Sequence, residues 1–200
     1  MRIAIVTFHS SQNYGAVLQC YALQTVLIEM GHDIEIIDRL FDKFNIPSYR
    51  FKRVKKVIFP NYFERFREKF LKLSEHINSQ QDLYDIQNRY DVIITGSDQI
   101  WNCYNGFAPF YFLDFAGDVK RIAYASSMGT SDIPPAYKSV VKELLTKFSH
   151  IGVREKTAVP IISELLERTD IVQVSDPTFL LSSTQWLDFA MTADIEIEIP

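Results

Sequence analysis

The stretch 2-RIAIVTFHSSQNYGAVLQCYALQTVLIEMGHDIEIID-38 decides the fold. Arg2 to Phe8 is apolar on both faces at Ile3, Ala4, Ile5, Val6 and Phe8, the pattern of a strand covered on both sides. A polar loop, His9 to Tyr14, comes next, and Gly15 to Met30 then suits a helix that Gly31 would stop. Asp33 to Asp38 gives a second strand through Ile34, Ile36 and Ile37. Strand, helix, glycine and strand in this order form a βαβ unit with a right-handed crossover, the building block of a parallel sheet.

The alternation resumes after residue 90. Strands are expected at Asp91–Thr95, Arg121–Ser126, His150–Val153 and Ile171–Val174. Helices are expected from Pro134-Pro135 to about Phe148 and from Lys156 to Arg168. The fold class is α/β, a Rossmann-like doubly wound parallel sheet of five or six strands. Residues of about 40–90 break the rhythm and read as a helical insertion, with Pro60-Asn61 separating two short helices. Nine of the chain's 21 Lys and Arg residues fall between Arg50 and Lys72, interleaved with Phe51, Phe59, Tyr62, Phe63, Phe66 and Phe70. Three uses stay open for 50–72: contact with an anionic membrane surface, a lid over the cleft, or an amphipathic pair packed on the sheet. The main domain is expected to span 1–186, with 187–200 a tail or linker.

Composition excludes several classes. A formal charge of −4 argues against nucleic-acid binding. Cys20 and Cys103 share no metal-like spacing with each other or with a histidine, so neither a disulfide framework nor a structural metal site is expected. Charge interrupts every apolar run before membrane-spanning length, and Met1-Arg2-Ile3 leads directly into a strand. The expected location is cytoplasmic, with the inner face of the membrane as its extension.

Open parallel sheets bind ligands beyond the carboxyl ends of their strands, so the candidate site residues are sought there. After the first strand come Ser11, Asn13 and Gly15, where a helix N-terminus favours an anion, although Asn13 and Ser11 also suit plain helix caps. After the middle strand come Gly96, Ser97 and Asp98, with Trp101 as an anchor for the turn. The next strand ends in Ser126 and Ser127, and the one after it in Arg154. The planar fork of Arg154 suits a phosphate or carboxylate, and an ion pair with Glu155 or Asp176 is its structural alternative. His32 and His76 read as surface residues; His9, at the mouth of the first strand, is the histidine worth testing.

These segments, taken in order, resemble the polysaccharide pyruvyl transferase family. The resemblance rests on Asn13-Tyr14-Gly15-Ala16-Val17-Leu18-Gln19 with Tyr21-Ala22-Leu23, on Gly96-Ser97-Asp98-Gln99-Ile100-Trp101, and on Tyr111-Phe112-Leu113-Asp114-Phe115. It continues through Arg121 to Gly129, Val153-Arg154-Glu155-Lys156, Asp176-Pro177-Thr178 and Trp186. It implies transfer of the enolpyruvyl unit of phosphoenolpyruvate to two hydroxyls of a sugar, free or lipid-linked, in a cell-surface glycan. No resident cofactor is implied; phosphoenolpyruvate is the donor substrate. Arg154 would clamp phosphate or carboxylate, Asp98 would bind or activate an acceptor hydroxyl, and Asn13, Gly15, Ser97, Ser126 and Ser127 would bind or orient ligands. Members of the family resemble two-domain GT-B-like glycosyltransferases, so this chain is expected to be an N-terminal half with little activity alone. A nucleotide-sugar glycosyltransferase of related architecture and a non-catalytic glycan-binding module are the competing readings.

Overall fold

The computed structural model describes residues 1–39 and 62–192. Its centre is a six-stranded parallel sheet in the order β2-β1-β3-β4-β5-β6. The strands are β1 Arg2–Val6, β2 Asp33–Ile36, β3 Val92–Thr95, β4 Lys120–Ser126, β5 Phe148–Val153 and β6 Val172–Gln173. The α-helices are α1 Tyr14–Glu29, α2 Tyr62–Phe70, α3 Gln80–Gln87, α4 Pro135–Thr146, α5 Ala158–Leu166 and α6 Ser183–Met191. β1 pairs with both β2 and β3, with Ile5 opposite Ile36 on one side and Ile94 on the other.

Alternating residues of β1 feed two separate cores. Ile3 and Ile5 join Ile34, Ile36, Val92 and Ile94 beneath Cys20 and Leu23 of α1. Ala4 and Val6 join Ile93 and Ile151 on the opposite face, covered by α3, α4 and α5 through Leu83, Leu145 and Ile162. This is the double covering that a parallel sheet needs, because side chains of successive strand residues point to opposite faces. α1 therefore covers one face and α3, α4 and α5 the other, so the chain reverses its winding direction between β1 and β3.

The expected boundaries shift for local reasons. β1 ends at Val6, since Thr7 turns away: its carbonyl accepts from the His9 N–H at 2.9 Å. α1 starts at Tyr14, where the Asn13 side chain accepts from the Ala16 N–H, and Gly31 takes φ +83° beyond its end. α4 stops at Thr146, and Phe148, expected to close that helix, instead opens β5 and packs edge-on against Trp101 at 5.9 Å.

Residues 40–61 of the expected insertion lie outside the described residues. From Tyr62 onward the chain is part of the domain body. Phe66 and Phe70 of α2 pack against Tyr21 of α1 and Phe189 of α6. Leu73 bridges to Ile36 in parallel, so this segment touches the sheet edge and does not stand apart from it. α6 runs across residue 186, where a domain edge was expected, and Phe189 lies 4.3 Å from the Tyr21 ring. No helix among the described residues is long and apolar enough to cross a membrane.

Candidate functional site

The reversal between β1 and β3 makes the loops beyond them diverge, which is where open α/β sheets form ligand crevices. A cleft of about 310 Å³ lies there, walled by Phe8, Ser11 and Asn13 from one loop and by Asp98 and Gln99 from the other. Tyr111, from a 3₁₀ turn at Pro109–Phe112, closes its base and meets the Phe8 ring edge-on at 4.9 Å.

Two side chains hold the two loops in register. The Thr7 hydroxyl donates to the Ser97 carbonyl at 2.7 Å, and Gln19 Nε2 donates to the same hydroxyl at 2.9 Å. Gly96 suits this closeness, since a Cβ there would stand 3.2 Å from Thr7 Cβ, tighter than ordinary contact. Trp101 anchors the far end of the turn: it is buried, stacked on Phe112, and donates from Nε1 to the Tyr111 carbonyl at 3.1 Å.

Asp98 sits at φ +88°, and Ala125 beside it at the end of β4 takes φ +56°. Non-glycine residues held in such conformations cost of order 1–3 kcal/mol each and gather at functional sites. The strain is fixed by a local bridge: Asp98 pairs with Ser126, and the Ser127 N–H donates to the Asp98 carbonyl at 3.0 Å. The Asp98 carboxylate accepts from the Gln99 N–H at 2.7 Å through Oδ1, and Oδ2 has no partner among the described residues.

Arg154 belongs to a second cluster on the same sheet edge. Its Nη1 donates to Asp176 Oδ2 and to Ser97 Oγ, both at 3.2 Å, while Nε lies 3.5 Å from Glu155. Ser97 Oγ donates to Asp176 Oδ2 at 2.7 Å. Burial alone would raise the Asp176 carboxyl, but hydrogen bonds from Thr178, Ser97 and Arg154 outweigh it and hold the group below its ordinary value. The ion pair weighed as the alternative for Arg154 therefore exists, with Asp176. It leaves Nη2 without a partner among the described residues, on a side chain 30% exposed. With Nε and Nη1 both engaged, Nη2 is the nitrogen left to donate to a further group.

The remaining candidates divide. Asn13 lines the cleft and caps α1 at once, since its Oδ1 takes the Ala16 N–H at 3.1 Å. Gly15 lies in the first turn of that helix, where a Cβ would meet Asn13 Oδ1 at 3.2 Å. Ser126, expected to orient a ligand, is fully buried, its hydroxyl 3.3 and 3.2 Å from the carbonyls of Thr95 and Gly96. It braces the turn of β3. Ser127 is also fully buried and donates to Glu155.

One cluster escapes sequence reading. Asp38 Oδ1 meets His9 Nε2 at 2.9 Å and Arg67 Nη2 at 3.1 Å, and Oδ2 meets His76 Nδ1 at 2.9 Å. Burial opposes ionisation of Asp38, yet the hydrogen bonds from His9 and His76 and the Arg67 charge lower its pKa to about 2. His9 is 2% exposed, and His76, expected to be a plain surface residue, is the outer partner of the same carboxylate. No spacing in the sequence could have signalled it, because Asp38, Arg67 and His76 lie on separate elements.

Fold and site thus define a doubly wound α/β domain with a cleft at its switch point and an anchored arginine on the same sheet edge. A sequence model described as polysaccharide pyruvyl transferase matches residues 13–198, nearly the whole chain, and the chain belongs to that family. No curated protein matches it.

Proposed function

We propose that this protein transfers pyruvate from phosphoenolpyruvate to two hydroxyls of one sugar, leaving a cyclic ketal and inorganic phosphate. The methylene carbon of the donor gains a proton and becomes the methyl group. One sugar oxygen adds to the adjacent carbon, the bond to phosphate breaks, and the second oxygen takes its place. Of the two hydroxyl protons released, one balances the new methyl and the other leaves on phosphate. Such a reaction asks for a cation at the departing phosphate and a base near the incoming hydroxyls.

One observation carries the reading: Arg154 and Asp98 stand at the same sheet edge, tied through Ser97. The Ser97 side chain contacts the arginine cluster, while its carbonyl is held by Thr7 one residue before Asp98. In this assignment Nη2 of Arg154 donates to the donor phosphate or carboxylate, and Asp98 Oδ2 accepts a proton from an acceptor hydroxyl. The acceptor is a glycan or lipid-linked sugar, and contact of 50–72 with an anionic membrane would bring the protein to such a lipid.

Phosphate release by the full-length protein tests this. With phosphoenolpyruvate and a glycan acceptor, Arg154→Ala is expected to raise the KM for phosphoenolpyruvate at least tenfold, with Arg154→Lys intermediate. Unchanged donor kinetics would remove the clamp. Release of nucleoside diphosphate from a sugar nucleotide, without phosphate from phosphoenolpyruvate, would replace the reading with a glycosyltransferase. Glycan binding without either turnover would make the chain a binding module.

A further inference from the structure

The main chain of Arg154 is held at both ends of the residue. Its N–H donates to the Ser126 carbonyl at 3.2 Å, and its carbonyl accepts from Gln173 Nε2 at 3.2 Å. The guanidinium, at the end of a long rotamer-rich stem, lies between two acids, Asp176 at Nη1 and Glu155 at Nε. Glu155 is the next residue in the chain, and its Oε1 already takes the Ser127 hydroxyl. Asp176 is mounted differently, from a turn that follows β6. Its Oδ1 accepts from the Thr178 N–H at 3.0 Å and from the Thr178 hydroxyl at 2.9 Å, which caps the 3₁₀ turn Pro177–Phe179. Trp186 of α6 steadies that turn by donating from Nε1 to the Thr178 carbonyl at 3.0 Å. Oδ2 then meets Ser97 Oγ at 2.7 Å and Arg154 Nη1 at 3.2 Å, and Ser97 Oγ accepts from the same Nη1 at 3.2 Å. Two acceptors thus fix Nη1, and because the guanidinium is planar they set the direction of Nη2 as well.

A carboxylate placed beside a cation acts on a bound anion in two opposite ways. Its charge repels the anion and offsets the cation, which weakens binding. Its grip on the guanidinium removes orientations that do not reach the anion, which strengthens binding by preorganisation. Asparagine at position 176 separates the two. It keeps an Oδ1 acceptor for the Thr178 cap, removes the negative charge, and turns an amide N–H₂ toward the Nη1 donor.

We infer that Asp176 is a positioning residue: its carboxylate, anchored by Thr178, aims Nη2 of Arg154 at the anionic donor. The inference rests on the proposed role of Arg154 as the donor clamp.

Donor kinetics of the full-length protein, with phosphoenolpyruvate and a glycan acceptor, test it through the sign of the effect. Asp176→Asn should raise the KM for phosphoenolpyruvate at least threefold although it removes a negative charge, with more of the change in KM than in kcat. Thr178→Val, which leaves the Thr178 N–H on Oδ1, should move KM the same way by less. In the Arg154→Ala background, Asp176→Asn should add less than twofold, since its effect passes through the missing guanidinium. Independently of turnover, side-chain NMR of arginine-labelled protein, assigned with Arg154→Lys, should show separate Nη1 and Nη2 signals for Arg154 in wild type. In Asp176→Asn they should merge as the guanidinium rotates freely. A KM that stays level or falls in Asp176→Asn while Arg154→Ala raises it would overturn the positioning role and leave the clamp standing. So would a full Asp176→Asn effect in the Arg154→Ala background, or an unchanged pair of Nη signals. Unchanged donor kinetics in Arg154→Ala would overturn the clamp and the positioning role together.

Discussion

Replacing Thr7 by valine tests the bracing of the site most directly. The side chain is 3% exposed, and its hydroxyl both donates to the Ser97 carbonyl at 2.7 Å and accepts from Gln19 Nε2 at 2.9 Å. Valine nearly keeps the volume, so no cavity opens and the change isolates the hydrogen bonds. The Ser97 carbonyl loses its side-chain donor, a penalty of about 1–3 kcal/mol for a buried group left unpaired. Gln19 suffers less, because its Nε2 retains the Ala16 carbonyl at 2.8 Å. A net loss of about 2 kcal/mol corresponds to a fall in Tm of roughly 4–8 °C for a domain of this size. Urea unfolding of wild type, Thr7→Val and Thr7→Ser, fitted with one m-value, measures it. Thr7→Ser restores the hydroxyl and should recover most of the loss. If the two variants agree within about 0.3 kcal/mol, inside the usual scatter for a neutral site, the bracing argument fails.

Other expectations rest on single contacts. Asn13→Ala should cost about 0.5–2 kcal/mol by uncapping α1, and Asn13→Gly only a few tenths, measurable by thermal or urea unfolding. Asp38 has its pKa depressed to about 2, so the stability it supplies is complete above the ordinary carboxylate range and lost as pH falls through about 2. The gap between wild type and Asp38→Asn should accordingly be about 2 kcal/mol near neutral pH and shrink below about pH 4, as followed by unfolding at stepped pH. A pH-independent gap would show that the carboxylate charge is not what matters. Gly129→Ala places a Cβ 2.7 Å from Gln99 Cδ at a residue with φ +61°. It should displace the Gln99 side chain and lower stability in urea unfolding more than Lys138→Ala, a substitution on the exposed side of α4.

Much of the fold is legible from local pattern. The apolar runs of β1 and β3 and the Gly31 stop need no distant information, because a strand buried on both faces leaves a continuous hydrophobic signature. Trp101 as an anchor and Asn13 as a cap can be read from their neighbours. The strand at Phe148 cannot. Leu144, Leu145 and Phe148 continue a helical spacing, and only the packing of Phe148 against Trp101 places it in β5. The segment after residue 61 reads as a separate flap because its charge dominates its composition. Its Phe66 and Phe70 turn inward all the same, onto the aromatic rings of α1 and α6.

The order of strands and helices, the parallel class of the sheet and the family all lie in the sequence by itself, since each rests on short-range periodicity or on ordered local motifs. The assignment of partners does not. Thr7 meets Ser97, Ser97 meets Asp176, and His9 meets Asp38 across 90, 79 and 29 positions of chain. Those meetings depend on the strand order β2-β1-β3-β4-β5-β6, which brings distant strand ends to one edge. That order is settled when two faces of one sheet are buried together, a property of the packed chain that no local window of residues contains.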